Sequence, residues 1–392
     1  MASNPEIKDI DTVQLTDLVR EALRSPTAEI THWEHQLVSY INTETSNLGL
    51  YRFQGMAEAD GEARPWSMVL KAVNAPVNDA DPSHWNYHRR EILAYQQGLL
   101  TDLPGEVLKA PRCLGVTEHP HGICWLWLED VQDAAATSRT WSLAEYALAA
   151  RHLGQFNGAY VTGHALPTHP WLSRHWLRGW LEFYDNGCRK TLELIRDESF
   201  WEHPLLRSAF PRSITAEMLR LWDNHERLLA ALDQLPQTFC HMDAYRPNLF
   251  IRLNPQGMAE TVAIDWVFAG TGALGEEIAN LLAASLIWFE FDAAEAQSLD
   301  QAVFSNYMSG LRAANWQGDA RLVRLGYTAA CALRWGVVGL WWLRALTSEK
   351  ERAEFEAHWN RPMPELVSQW SRTAFHVLDL AKEADQLQRA LL

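Results

Sequence analysis

Near Leu128 the spacing of apolar residues changes, and that change constrains the fold more than any other feature of the chain. Before it, LGLYRFQGM, WSMVLKAV, CLGVTE and GICWLWLED are short β-rich runs separated by polar or glycine-containing turns. From about Trp141 onward, apolar residues recur at three and four, as in WSLAEYALAARHLGQFNGAYV and AEMLRLWDNHERLLAAL. Helical spacing also marks DTVQLTDLVREAL at the start and HWNYHRREILAYQQGLL, which interrupts the strands. HQLVSYI supplies one more strand, and a turn is expected at Asp60 and Gly61. These features predict an α+β chain. A five-stranded antiparallel sheet with one inserted helix would occupy residues 1–128, and a larger, mainly helical part residues 129–392. Within the helical part, Thr238 to Val267 reads as short strands.

At 392 residues the chain is too long for one small core. Its 34 basic and 49 acidic residues give a formal charge of -15, which argues against a nucleic-acid surface and admits a cationic small substrate. Five cysteines, an odd number with no C-x-x-C, indicate neither a disulfide framework nor a zinc site. No basic-then-apolar leader opens the chain. The most apolar helix candidate, Trp335 to Leu343, is bracketed by Arg334 and Arg344, far short of the ~20 residues that span a bilayer. A cytoplasmic enzyme or binding protein with no membrane partner is expected, of open oligomeric state. Nineteen tryptophans suit helical cores and also pockets for rings or cations.

The decapeptide HMDAYRPNLF, His241 to Phe250, carries the most chemistry. Phosphoryl transfer to an alcohol needs a carboxylate near the attacking hydroxyl and oxygen ligands for Mg²⁺. Asp243 suits the first task, while Asn248 and Asp265 suit the second. Two apolar runs, Asn248 to Leu253 and Glu260 to Asp265, flank a turn-like NPQGMA. If they pair as a hairpin with Leu253 opposite Glu260, Asn248 faces Asp265 at the open end.

HxDxxxxN followed by an Ile-Asp-Trp strand resembles the aminoglycoside phosphotransferase and choline kinase group of protein-kinase-like enzymes. Protein kinases carry the related H-R-D-x-x-x-x-N and D-F-G elements. Both spellings are absent here, which favours the small-molecule branch. The resemblance implies a two-lobed kinase-like fold, ATP and Mg²⁺, Asp243 as catalytic base or hydroxyl-orienting group, and Asn248 and Asp265 as metal ligands. It implies His241 as a support of the loop. Such a fold also needs a strand lysine paired with a helix glutamate. Lys71 and Glu91 occupy those places in order. Ser46 and Asn47 stand where the phosphate loop falls, although any turn uses the same residue types. Around Leu128 and Glu129, the sheet ends in what looks like the family's hinge, where an adenine would meet backbone groups above Phe250 and Ile264. No Walker motif is present.

Gly270, Gly272 and Gly275 spell G-x-G-x-x-G, but no second strand of a βαβ unit follows. The glycines are therefore expected in a flexible loop that turns tightly before the next helix. Glu276 and Glu277 then begin that helix, favoured by its dipole, or face a cationic substrate. The acceptor is a small molecule, and Trp180, Glu182, Tyr184, Asp185, Trp335 and Trp341 are candidates to touch it. Two other classes remain open: a non-catalytic kinase-like nucleotide-binding protein, and an NAD-dependent oxidoreductase.

Overall fold

The Asp11 carboxylate accepts the Gln14 N–H at 2.7 Å and so starts helix α1 (Thr12–Leu23), which buries Leu15 and Val19 against the sheet. A computed structural model describes residues 10–38, 47–74, 81–133, 140–211 and 213–392. The strands that follow are β1 (Glu29–Val38), β2 (Asn47–Ala59), β3 (Glu62–Val73), β4 (Leu108–Lys109), β5 (Cys113–Glu118) and β6 (Cys124–Glu129). Five of them form the expected antiparallel sheet, and its strand order is β1-β2-β3-β6-β5. Asp60 and Gly61, both at positive φ (55° and 81°), make the two-residue β2–β3 turn, whose handedness matches strand twist. Phe53, Met68, Leu70 and Trp127 fill the face under α1.

The inserted helix is shorter than its apolar spacing suggests. Only α2 (Arg90–Gln96) is regular, because the buried Arg90 guanidinium gathers carbonyls that a longer helix would use. It donates to His84 O at 2.6 Å, Trp85 O at 2.8 Å, Trp171 O at 2.8 Å and Val267 O at 2.8 Å. The bonds to Trp171 and Val267 also anchor the helix to the chain beyond residue 140.

Helices then dominate: α3 (Leu143–Val161), α4 (Trp176–Arg196), α5 (Pro204–Ala209), α6 (Ile214–Asp223) and α7 (His225–Gln234), then α8 (Ala279–Ile287), α9 (Ala296–Ala313), α10 (Ala320–Cys331), α11 (Glu349–Trp359) and α12 (Met363–Leu391). Ser142 and Glu145 form a capping box at the start of α3. A large core containing Tyr146, Tyr307, Tyr327, Trp342 and Trp370 joins these helices, so most tryptophans serve packing. Among the described residues no helix is long and apolar enough to cross a membrane.

Between α7 and α8 lie the short strands β7 (Gln237–Cys240), β8 (Leu249–Leu253), β9 (Ala259–Ala263) and β10 (Gly270–Ala273). The β8–β9 hairpin forms, but one residue out of the expected register: Leu253 opposes Ala259, and Arg252 opposes Glu260. The turn decides this. Asn254 N–H donates to Met258 O at 2.8 Å, and the Asn254 side chain accepts the Gln256 and Met258 N–H groups, closing a tighter loop. Asn248 O consequently accepts from Ile264, not from Asp265. The glycines depart from expectation too. Gly270 and Gly272 lie in β10, paired with β7, rather than in a loop. A Cβ on Gly270 would sit 2.1 Å from Ser173 O, so close backbone approach is what demands glycine there. Gly275 alone makes the turn, at φ 99°.

Candidate functional site

Lys71 sits on β3, between β2 and β6, and reaches two carboxylates. Its Nζ lies 2.6 Å from Glu91 on α2 and 2.5 Å from Asp265, which follows β9. Glu91 also accepts the Trp266 N–H at 3.0 Å, tying α2 to the Asp265 turn. Burial pushes the Glu91 carboxyl up, against the pull of Lys71. Asp265 holds φ 64°, a left-handed conformation that aspartate tolerates better than most residues.

The loop after β7 is held from below. His241 is fully buried and T-stacked on Trp266. Its Nδ1 accepts the Asp243 N–H at 3.1 Å, so Nε2 carries the proton and donates to Ile264 O at 2.8 Å. Burial lowers its pKa to about 4, which keeps the ring neutral. Met242 adopts φ 67°, and the Glu277 carboxylate pins this strained turn by accepting the His241 N–H at 2.7 Å and the Met242 N–H at 3.1 Å. Glu276 reaches back to the Ala273 N–H at 2.9 Å. Glu277 is thus a prop of the loop, neither a plain helix-start acid nor a substrate contact.

Asp243 ends a dense network. Its Oδ1 accepts from Arg334 Nη2 at 2.8 Å and from Asn280 Nδ2 at 3.0 Å. Oδ2 accepts from Asn248 Nδ2 at 2.9 Å. A carboxylate oxygen offers two lone-pair directions, so Oδ1 is filled and Oδ2 keeps one acceptor position. Burial pushes the carboxyl above its ordinary range, and the Arg334 guanidinium opposes that rise. Asn248 Nδ2 also donates to Asp243 O at 3.1 Å, so its amide protons are both engaged and Oδ1 keeps its lone pairs.

These groups line one cleft of about 490 Å³ between sheet and helices. Lys71, Glu91, Leu128, Glu129, Asp243, Asn248, Phe250, Ile264 and Asp265 all face it, despite the shifted hairpin register. Ser46 and the Asn47 side chain lie outside the described residues. Glu129 uses its own N–H on Arg112 O at 2.9 Å and its carboxylate on Arg252 at 2.9 Å; Asp130 and Val131 continue the same wall. Across the mouth, Arg52 on β2 pairs with Asp130 at 2.9 Å.

The acceptor candidates scatter. Trp180 stacks on Trp176 and touches Tyr184, and Trp335 donates to Asn280 Oδ1 at 3.1 Å, so these lie beside Asp243's network. Glu182 lines a separate groove with Trp85 and Phe183. Asp185 pairs with Arg189 on the same helix, and Trp341 packs among Phe355, Trp359 and Trp370. Arg334 and Asn280 were not expected at the site. The available signal was an arginine directly before the apolar run from Trp335, because a buried charge there needs a partner.

Oxygen donors at Asn248 and Asp265 suit a hard divalent cation that also takes ligands from bound phosphates. Among the described residues no group of three His, Cys, Asp or Glu side chains is arranged to hold a metal alone.

No curated protein matches the sequence. Solved structures do. An aminopropanol kinase associated with a microcompartment aligns with a TM-score of 0.51 at 14% identity, covering 94% of this chain and 99% of that one. An amicoumacin kinase in complex with AMP-PNP, Ca²⁺ and its ligand aligns at 0.47 and 15% identity over 83% and 87% of the two chains. A spectinomycin phosphotransferase with ADP and spectinomycin aligns at 0.47 and 14% over 96% and 99%. The fold is protein-kinase-like, and the phosphotransferase enzyme family APH matches residues 61–316. The chain belongs to that phosphotransferase family.

Proposed function

We propose that the protein is an ATP- and Mg²⁺-dependent kinase that moves the γ-phosphoryl group to a hydroxyl of a small molecule, such as an aminoglycoside-like antibiotic, an amino alcohol, a sugar or a related metabolite. One observation carries this assignment: Lys71, Glu91, Asp243, Asn248 and Asp265 converge on one cleft with free acceptor positions on Asp243 Oδ2 and Asn248 Oδ1. In this proposal residues 1–128 hold the nucleotide and residues 129–392 supply the catalytic loop and the acceptor site, in the cytoplasm.

Lys71 binds the α- and β-phosphates, with Glu91 fixing its ammonium. Ser46 and Asn47 contact phosphates, and the adenine rests by Leu128 and Glu129 above Phe250 and Ile264. Asn248 and Asp265 would hold Mg²⁺, which would supply neutralisation of charge on the triphosphate. Asp243 Oδ2 accepts the acceptor's O–H and aims its oxygen at the γ-phosphorus. The new P–O bond forms as the bond to the β,γ-bridging oxygen breaks, its electron pair leaving on ADP and the hydroxyl proton passing to Asp243.

The test is ADP release from Mg·ATP across hydroxylated amino sugars, amino alcohols, sugars and macrolides. Acceptor-dependent ADP release with one phosphorylated product is expected. Tight Mg·ATP binding without turnover on any acceptor would favour a non-catalytic nucleotide-binding protein instead.

A further inference from the structure

We propose that Arg334 is a positioning residue for the transfer step, fixing which oxygen of Asp243 meets the acceptor; the proposal rests on the kinase function above. Arg334 stands 91 residues beyond Asp243 in sequence, in a single π-helical turn (Ala332–Gly336) that continues α10. Such turns bulge a helix and re-aim the side chains they carry. Here the bulge accompanies a guanidinium directed at the catalytic loop. Nη1 donates to Met242 O at 2.6 Å and Nη2 to Asp243 Oδ1 at 2.8 Å. The fork therefore grips the backbone and the side chain of consecutive residues, the first of them at positive φ.

Three tryptophans wall the guanidinium in. Its carbon lies 4.3 Å from the Trp176 ring centroid, 5.3 Å from Trp180 and 5.5 Å from Trp335. These faces attract a cation and also confine the fork's plane. Trp335 adds a second route to the same oxygen: its Nε1 donates to Asn280 Oδ1, and Asn280 Nδ2 donates to Asp243 Oδ1. With Oδ1 filled from two directions, the carboxylate cannot rotate without breaking both bonds. Oδ2 alone remains to accept the incoming hydroxyl.

A buried ion pair of this kind yields little net stability, because desolvation offsets most of the attraction. Orientation is what it adds. Lysine keeps the charge but has no planar fork to grip Met242 O and Asp243 Oδ1 together.

Arg334→Lys tests this in the full-length protein. The readouts are AMP-PNP affinity, and ADP release from Mg·ATP with water as acceptor and with the best hydroxyl acceptor of the panel. We expect kcat to fall by about a hundredfold, the cost of misplacing a reacting group by an ångström, with AMP-PNP affinity unchanged within about twofold. In an Asp243→Asn background the same change should alter the rate by less than about twofold, because Arg334 acts through Asp243. Trp335→Phe, which keeps the aromatic wall and removes the Asn280 donor, should lower kcat by a smaller factor. It also serves as the test should Arg334→Lys not fold. Folded Arg334→Lys turning over like the wild type would overturn the proposal while leaving the kinase assignment intact. So would equal losses in both backgrounds, or, where only Trp335→Phe folds, an unchanged kcat in that variant. A wild type inactive on every acceptor would overturn both.

Discussion

Asp265 does two things at once: it pairs with Lys71 through Oδ1, and it sits two residues past the hairpin in a left-handed turn. Both place its carboxylate where phosphate-bound Mg²⁺ would compete for it. Asp265→Ala should therefore weaken Mg·ATP binding by about tenfold or more, with little effect on ATP binding in EDTA; calorimetry with and without Mg²⁺ reads this directly. Glu277 gives a prediction of a different kind. Burial pushes its carboxyl up from an ordinary 4.5 to about 7. The folded chain then keeps a proton that the unfolded chain has released, so this group favours folding below about pH 4.5 and loses that contribution as pH rises through about 7. Glu277→Gln should flatten the fall in thermal midpoint between those pH values, and an unchanged slope would remove Glu277 as its source.

At the scale of elements, close backbone approach does work that side-chain patterning does not reveal. Helices α3 and α9 cross at Gly154 and Gly310, where an added Cβ would lie 2.2 Å from Tyr307 O and 2.1 Å from Arg151 O. Gly310→Val should force the helices apart and cost about 3 kcal/mol, as overpacking does, seen as a lower denaturation midpoint. Strand and helix types were legible because apolar spacing reports which face is buried, and α3, α9 and α12 follow it over many turns. The α2 boundary was not, because it depends on where the Arg90 guanidinium finds carbonyls from residues as distant as Val267. The β8–β9 register was also hidden, since a hydrogen bond from Asn254 to Met258 sets it and the apolar pattern fits either alignment. Gly270 and Gly272 looked like turn residues for the same reason: nothing local shows that β10 runs against Ser173.

Across the whole molecule, the cleft is assembled from β3, α2, the end of β6, the β7–β8 loop and the turn after β9, with Arg334 from the π turn beyond α10 bonded to Asp243. Lys71, Glu91, Asp243, Asn248 and Asp265, proposed for phosphoryl transfer and gathered in that cleft, are legible from their types and their order along the chain. Arg334 and Asn280 are harder to find, because their proposed task is to orient another residue: the one hint, an arginine directly before the apolar run from Trp335, does not say which group it pairs with, and Asn280 leaves no such hint. The acceptor's identity is hidden for a related reason: in the proposed function its site would be built by helix packing, which brings Trp180 and Trp335 to the guanidinium bound to Asp243 and leaves Trp341 packed against the core. The cleft offers a carboxylate, Asp243, with one acceptor position left beside Lys71, Asn248 and Asp265. The most direct measurement is phosphorylated product formed by wild type and by Asp243→Asn, with Mg·ATP affinity measured on both. A loss of about a thousandfold in product formation at unchanged Mg·ATP affinity is predicted. Product formation by Asp243→Asn at a rate near the wild type's would contradict the account.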